Sequence, residues 1–541
     1  MCLSLEATIC SAVILCALLR LLIRHAFTSP LDNLPGPPSP SFLKGNLPDF
    51  AARQSWKYRR HHAEAYGPVS VFHGLLGTKM LVVYDPKALQ SIIVKDSDSF
   101  LRRISPSDFM HMLVGPGLLT AEGVQHRRQR KLLNPIFSVN HLRRMTVLFY
   151  DVSHKVRTAI QGRVGNEAQV IDVNGWLSRT TLEFLGQAGL GYSFDNFAED
   201  STDAYGNALK SFFPMLSQLS LMDAVITGLS YFATTDQMKS MLRLIPLEGL
   251  HRLMNISNSM ERRSKEIIAD KKIALAKAYR ADVHEDGGGK DIMSTLLKYN
   301  MAASDTDKLT DEEIVSQTSV LILAGMDTTS NMLTRTFHLL AQHPAIQEKL
   351  RAEIVEAHSG EARVDYDALN KLPYLEAVCR ETLRLYPPVQ LVPRRAAKDV
   401  LLPLSAPIRG RDGALIHEVH VPRGTYVIVD VQASNDNKAF WGEDAYEWKP
   451  ERWFGPLPRA LDEARIPSVY STILSFFGGP RACIGFKFAQ LEMKVILSVM
   501  LMAFSFELPY EEIVWNVGAV SFPTMGLGST KPELLLRIKN L

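Results

Sequence analysis

One decapeptide near the C-terminus, Phe476-Phe477-Gly478-Gly479-Pro480-Arg481-Ala482-Cys483-Ile484-Gly485, has the residue types needed to hold a flat ligand through sulfur. It has the form F-x-x-G-x-R-x-C-x-G, and five specified residues at that spacing arise by chance in fewer than about one chain in ten thousand. Glycines let a tight loop approach a planar group closely. A cysteine leaving that loop just before a helix has its sulfur near unbonded backbone N–H groups and the positive end of the helix dipole, and both favour thiolate. A lone cysteine is more often a buried structural thiol, so the flanking Phe, Gly and Arg carry the distinction. Zinc does not fit, because no Cys-x-x-Cys pair or nearby His completes a tetrahedron.

Three further groups have suggestive spacing. Ala324-Gly325-Met326-Asp327-Thr328-Thr329 lies inside a helical pattern, where Gly325 costs about 1 kcal/mol relative to Ala. That glycine marks a need for space, either for a crossing helix or for a small ligand. Glu381 and Arg384, three apart, share one helix face, where an exposed pair contributes only about 0.2–0.5 kcal/mol. Gly123 to Arg130 is basic and contains His126.

The elements that must position these residues read as mostly helical with a minor sheet. A helix from Thr310 to Gln342 opens with Thr310 and Glu313 in capping-box spacing and stops before Pro344. Its 33 residues would span roughly 50 Å, enough to cross the whole body. A second helix runs from about Pro373 to Tyr386 ahead of Pro387-Pro388, and a third from Gly485 to about Met502. Val419 to Val421 and Tyr426 to Val431 read as strands, and Gly162 to Gly165 and Asp286 to Gly289 as loops.

The 541 residues, 46% apolar and 22% charged, exclude wholesale disorder and a polytopic membrane protein. Sixty basic against 57 acidic side chains give a formal charge of +3, too small an excess to argue for a nucleic-acid partner. Three of five cysteines lie in the first sixteen residues, which excludes a disulfide scaffold. From Ala7 to Leu19 thirteen residues carry no charge, with Glu6 before them and Arg20, Arg24 and His25 after. That order suits a retained anchor with the body on the cytosolic side better than a cleaved signal peptide. The expected division is a membrane anchor over 1–27, a proline-rich hinge over 28–45 and one large catalytic domain over 46–541.

The decapeptide, followed by the other motifs, resembles the cytochrome P-450 family of haem-thiolate monooxygenases. That resemblance implies the P-450 fold behind a single N-terminal anchor helix, and haem b with Cys483 as the iron ligand. Phe476, Gly479 and Gly485 would shape the loop, and Arg481 would pair with a propionate. His126 stands where the family usually has Trp, and would serve the propionates with Arg130 and Arg394. Asp327 and Thr328 would deliver protons, with oxygen admitted beside Gly325. Pro450-Glu451-Arg452-Trp453 is similar to the family's P-E-R-F segment, so Arg452 would join Glu381 and Arg384 in a structural triad.

The implied reaction inserts one atom of O2 into an apolar substrate by hydroxylation or epoxidation, in a setting such as fungal terpenoid secondary metabolism. Rival readings are a haem-thiolate isomerase or dehydratase, or a non-catalytic haem protein; neither needs the Asp327-Thr328 pair. No G-x-G-x-x-G loop is present, so electrons would come from an NADPH-dependent flavoprotein reductase, with cytochrome b5 as a further donor. Arg128, Lys131, Arg143, Arg144, Lys487 and Lys494 are candidates for a basic docking face. Substrate contacts are expected from Ser105–Val114, Phe212–Leu221, Gln317, Val320, Leu321, Ala324, Val389, Leu391 and Phe522–Met525. The implied location is the endoplasmic reticulum membrane, catalytic domain in the cytosol.

Overall fold

The computed structural model describes residues 29–102, 107–198, 204–280, 291–470 and 472–541. The anchor expected over 1–27, the Asp286–Gly289 loop and Ser105 lie outside them. Among the described residues no helix is long and apolar enough to cross a membrane.

The helices that position the site are α1 (Gly123–Leu133), α2 (Val139–Val164), α3 (Val173–Phe184), α4 (Glu248–Arg280), α5 (Asp311–Gln342), α6 (Pro373–Leu385) and α7 (Phe486–Ala503). At the start of α5 the capping box forms as spaced: Glu313 N–H donates to the Thr310 hydroxyl at 3.2 Å, and Thr310 N–H donates to the Glu313 carboxylate at 2.9 Å. Past its first turn α5 is buried on nearly every side, packed against α3, α4, α6 and α7. A helix buried all round is a core element. Pro373 opens α6 and Gly485 is the N-cap of α7.

A five-stranded sheet flanks the helices: β1 (Val69–His73), β2 (Lys79–Val83), β3 (Phe100–Leu101), β4 (Leu391–Ala396) and β5 (Tyr426–Asp430), in the order β1-β2-β5-β4-β3. Only β2 and β5 run parallel; in the antiparallel pair β4 and β5, Arg394 faces Val427. Three smaller antiparallel sheets complete the β structure, one of them the 400–409 and 415–421 hairpin.

Two expectations change. Gly162 lies within α2, and only Gly165, at φ 58°, terminates it; buried Val156, Ile160 and Val164 hold the last turns of that helix in place. Strand β5 stops at Asp430, whose carboxylate accepts the Ala433 N–H at 2.9 Å and starts a short helix at Val431. The proline-rich stretch 28–45, described from Ser29, is laid against the body. Leu31 and Leu34 are buried, Val71 N–H donates to the Pro35 carbonyl at 2.8 Å, and a Cβ on Gly36 would meet Val71 O at 1.8 Å. Burying two leucines contributes about 3 kcal/mol or more, enough to dock a segment whose prolines already keep it extended.

Candidate active site

Cys483 leaves its loop three residues before α7. The loop is closed by the Cys483 N–H donating to the Phe476 carbonyl at 2.8 Å and the Ala482 N–H to that of Gly479 at 3.1 Å. Phe477 is held at φ 59°, an uncommon conformation for a residue with a Cβ. The glycines divide by role. A Cβ on Gly478 would lie 1.9 Å from Pro467 O, and one on Gly479, itself at φ 59°, 2.2 Å from Ile93 O, so both permit contact with neighbouring backbone. A Cβ on Gly485 would meet nothing within 4 Å, which leaves that side of the loop open for a ligand. Phe476 is half-buried against Tyr470 and Phe486. Cys483 is exposed to solvent although its sulfur lies deep among neighbouring atoms. Burial pushes its thiol up; the Gly485 N–H and the Arg130 charge pull it down.

On α5, Leu321, Ala324, Gly325 and Thr328 are partly accessible while the residues around them are buried. Their i, i+3, i+4, i+7 spacing makes one stripe on an otherwise enclosed helix. Thr328 donates to the Ala324 carbonyl at 2.7 Å. Asp327 is turned into the protein, accepts from Asn331 Nδ2 at 3.1 Å, and is pushed up to about 7 by burial, against the opposing pull of Lys210 and Asn331. The space beside Gly325 is filled: its Cβ would lie 2.7 Å from Leu185, in the turn that follows α3. Of the two uses foreseen for this glycine, close crossing of a neighbouring segment is the one observed. Gln317 and Val320 also face protein, Gln317 accepting from Leu118 N–H at 2.9 Å and Val320 packing where a Cβ on Gly117 would stand. Phe212 is fully buried.

Around His126 on α1 the chain gathers cations. Arg130, Arg394 and Arg481 all act on its imidazole, which burial and those charges pull down to about 3, so it is neutral. Arg102 joins the group through its effect on Arg394 and Arg481. Two carboxylates answer them: Arg481 pairs with Glu122, and Arg102 with Asp108 at 2.7 Å. Arg130 spends its donors on Asn134 and, at 2.5 Å, on the Ala482 carbonyl, and Arg394 donates to the Pro393 carbonyl. Four guanidinium groups against two carboxylates leave an excess of two positive charges.

Glu381 and Arg384 are fully buried and joined by two parallel hydrogen bonds of 2.8 and 2.9 Å. Arg452 reaches the same carboxylate at 3.3 Å and ties it to Asp444. Trp453 donates its indole N–H to Glu381 at 3.0 Å.

A model of the cytochrome P450 family matches residues 35–523. The chain belongs to the cytochrome P450 family. Ganoderic acid synthetase of Ganoderma lucidum is 56% identical over 96% of this chain and 95% of its own length. Cytochrome P450 monooxygenase 91 of Postia placenta is 49% identical over 97% and 98%, and a P450 monooxygenase of Hericium erinaceus 33% over 96% of each. This P450 is a haem-thiolate monooxygenase.

Haem fits what the residues offer. An accessible sulfur with an N–H donor beside it suits an iron ligand, and the excess of two positive charges matches two propionates. The docking face foreseen for a redox partner is reduced. Lys494 is buried and paired with Glu376 at 2.7 Å, and Arg128 is taken by buried Glu313. Lys131 and Arg143 are paired with Asp307 and Asp367. Arg144 and Lys487 remain without an ion pair among the described residues. Sequence reasoning missed Glu122, which immediately precedes α1, and Arg102, Lys210 and Leu185, which come to the site from elsewhere along the chain.

Proposed function

We propose that Cys483 is the thiolate ligand of haem b, that Arg130, Arg394, Arg481 and neutral His126 hold its propionates, and that Thr328 and Asp327 govern proton delivery on the opposite side. What supports this reading is an exposed Cys483 just ahead of α7, together with a partly accessible Ala324–Thr328 stripe on an otherwise buried helix. Bound haem supplies the oxygen chemistry. The chain's residues orient the substrate and manage protons. Thr328, capped onto the Ala324 carbonyl, presents a hydroxyl on the stripe, and Asp327 sits behind it with a carboxyl able to carry a proton near neutrality.

Leu321, Ala324, Val389 and Leu391 remain as half-buried lining candidates and favour an apolar substrate. Likeness to a ganoderic acid synthetase supports a terpenoid skeleton and fungal secondary metabolism as the setting. The same reading includes an NADPH-dependent flavoprotein reductase, with cytochrome b5 as a further donor. It also divides the chain into an anchor over 1–27, a proline-rich hinge over 28–45 and a catalytic domain over 46–541. Residues 1–27 hold the body on the cytosolic side of the endoplasmic reticulum, a reading supported by the uncharged run and the arginines after it.

The test is the full-length protein with a reductase and a compound that shifts the haem from low to high spin. NADPH and O2 should be consumed in proportion to hydroxylated or epoxidised product. Product without O2 uptake would instead indicate an isomerase or dehydratase.

A further inference from the structure

Glu122 is the N-cap residue of α1, and its backbone carbonyl accepts the His126 N–H at 3.3 Å. Its carboxylate is held from two sides. Oε1 accepts the backbone N–H of Arg102, the residue after β3, at 2.8 Å, and Oε2 pairs with the guanidinium of Arg481 in the cysteine loop. One acid therefore ties together the end of β3, the start of α1 and the loop that bears Cys483. An acid is an odd neighbour for groups that suit propionates, because it repels them. Capping does not account for it, since the Glu122 side chain makes no capping bond to α1. Accepting the Arg102 N–H does not account for it either, since a glutamine oxygen would serve. What glutamate adds is a full negative charge fixed against Arg481. Arg481 and Glu122 keep only 21% and 18% of their side-chain surface accessible, so that charge is incompletely screened.

We propose that Glu122 is a positioning residue for the propionate end of the haem site: it fixes the Arg481 guanidinium against the start of α1 and offsets one positive charge of the arginine cluster, which keeps the haem reduction potential low. This rests on the reading of Arg481 and Cys483 given above. The other cations flank the same loop, Arg130 through its bond to the Ala482 carbonyl and Arg394 over the Phe477 ring at 4.9 Å, while Arg102 is paired with Asp108. Four guanidinium groups then stand against Glu122, Asp108 and two propionates, and the charges balance. Without the Glu122 charge the cluster keeps one positive charge in excess. Ferric haem is one charge more positive than ferrous, so an uncompensated cation beside it favours the ferrous form and raises the potential.

The test uses the full-length, haem-loaded protein, with reduction potential measured by spectroelectrochemical titration and haem release by transfer to apomyoglobin. Glu122→Gln keeps the acceptor for the Arg102 N–H. It should retain the thiolate-ligated spectrum and shift the one-electron equilibrium toward ferrous by up to about ten-fold, which is about 59 mV upward. Added salt should shrink that shift. Glu122→Asp, which keeps the charge, should stay close to the parental potential. Arg481→Gln should release haem faster and lower the potential. The double variant Glu122→Gln with Arg481→Gln should return to the parental potential, because one charge of each sign has gone. A parental or lower potential in Glu122→Gln overturns the proposal, as does Glu122→Asp shifting as far as Glu122→Gln. Should Glu122→Gln fail to load haem, the double variant read against Arg481→Gln decides, and no rise in potential between them overturns the proposal. If Arg481→Gln matches the parent in both haem release and potential, the functional reading of Arg481 fails and takes the proposal with it. If Arg481→Gln behaves as expected and Glu122→Gln does not, the proposal alone fails.

Discussion

At the scale of single residues, the arrangement around Asp327 has a pH signature. Burial lifts its carboxyl from 3.8 to about 7, so it is protonated below neutrality and ionised above. Turnover with saturating reductase should therefore fall as pH rises through about 7, and Asp327→Asn should be slow at every pH with that inflection gone. The stability linkage has the same sign. Between about 4 and 7 the folded chain holds a proton that the unfolded chain releases, so the contribution of this group to stability declines across that window as pH rises. Thr328→Ala preserves helix propensity and should leave substrate binding and first reduction intact, while NADPH oxidation continues and released peroxide replaces product. Cys483→Ala should lose the red-shifted carbon-monoxide band of thiolate-ligated haem and all oxygenation. Cys483, Asp327 and Thr328 stand out as candidates in the sequence because each lies inside a short local motif. Glu122 does not: its partner Arg481 lies 359 positions away, and nothing in either neighbourhood signals the pair.

At the scale of elements, the Glu381 cluster shows how a departure from a motif can be compensated. Phe in place of Trp453 would keep the aromatic packing but remove an indole donor from a buried carboxylate that also serves Arg384, Arg452 and the Lys449 N–H. Trp453→Phe should lower unfolding stability by about 1.5–3 kcal/mol in denaturant titration, the range for hydrogen bonds to charged groups. The two loop glycines separate in the same experiment. Gly479→Ala must place a Cβ 2.2 Å from Ile93 O at a left-handed φ and should destabilise the loop, whereas Gly485→Ala meets no protein atom and should leave the fold unaffected. Helix boundaries were legible to within a residue or two because caps and prolines mark them: α5 was expected over Thr310–Gln342 and runs from Asp311 to Gln342. What Gly325 is for was not legible, since a missing side chain does not say which neighbour, Leu185 here, takes its place.

At the scale of the whole molecule, the division between a membrane-directed N-terminus and a self-sufficient body can be tested by truncation. Leu31 and Leu34 are part of the packed core and Pro35 hydrogen-bonds to β1, so a deletion must stop before Ser29 to spare the fold. Removing residues 1–27 takes away the uncharged run and leaves those contacts whole. The truncated protein should bind haem with an unchanged carbon-monoxide spectrum. Its release from membranes should be incomplete, because large apolar side chains stand exposed between α3 and α4: Phe232 is 89% and Leu244 84% accessible, with Tyr231, Met241 and Leu247 near them in sequence. Exposed apolar side chains grouped in this way favour an interfacial surface. Phe212 and Phe213 are buried and so cannot supply it. Phe232→Ser with Leu244→Ser in the truncated chain should therefore release the remainder in a vesicle flotation assay. Full release by the truncation alone would assign all membrane attachment to residues 1–27, and loss of haem binding on truncation would show that the anchor and the body are not separable.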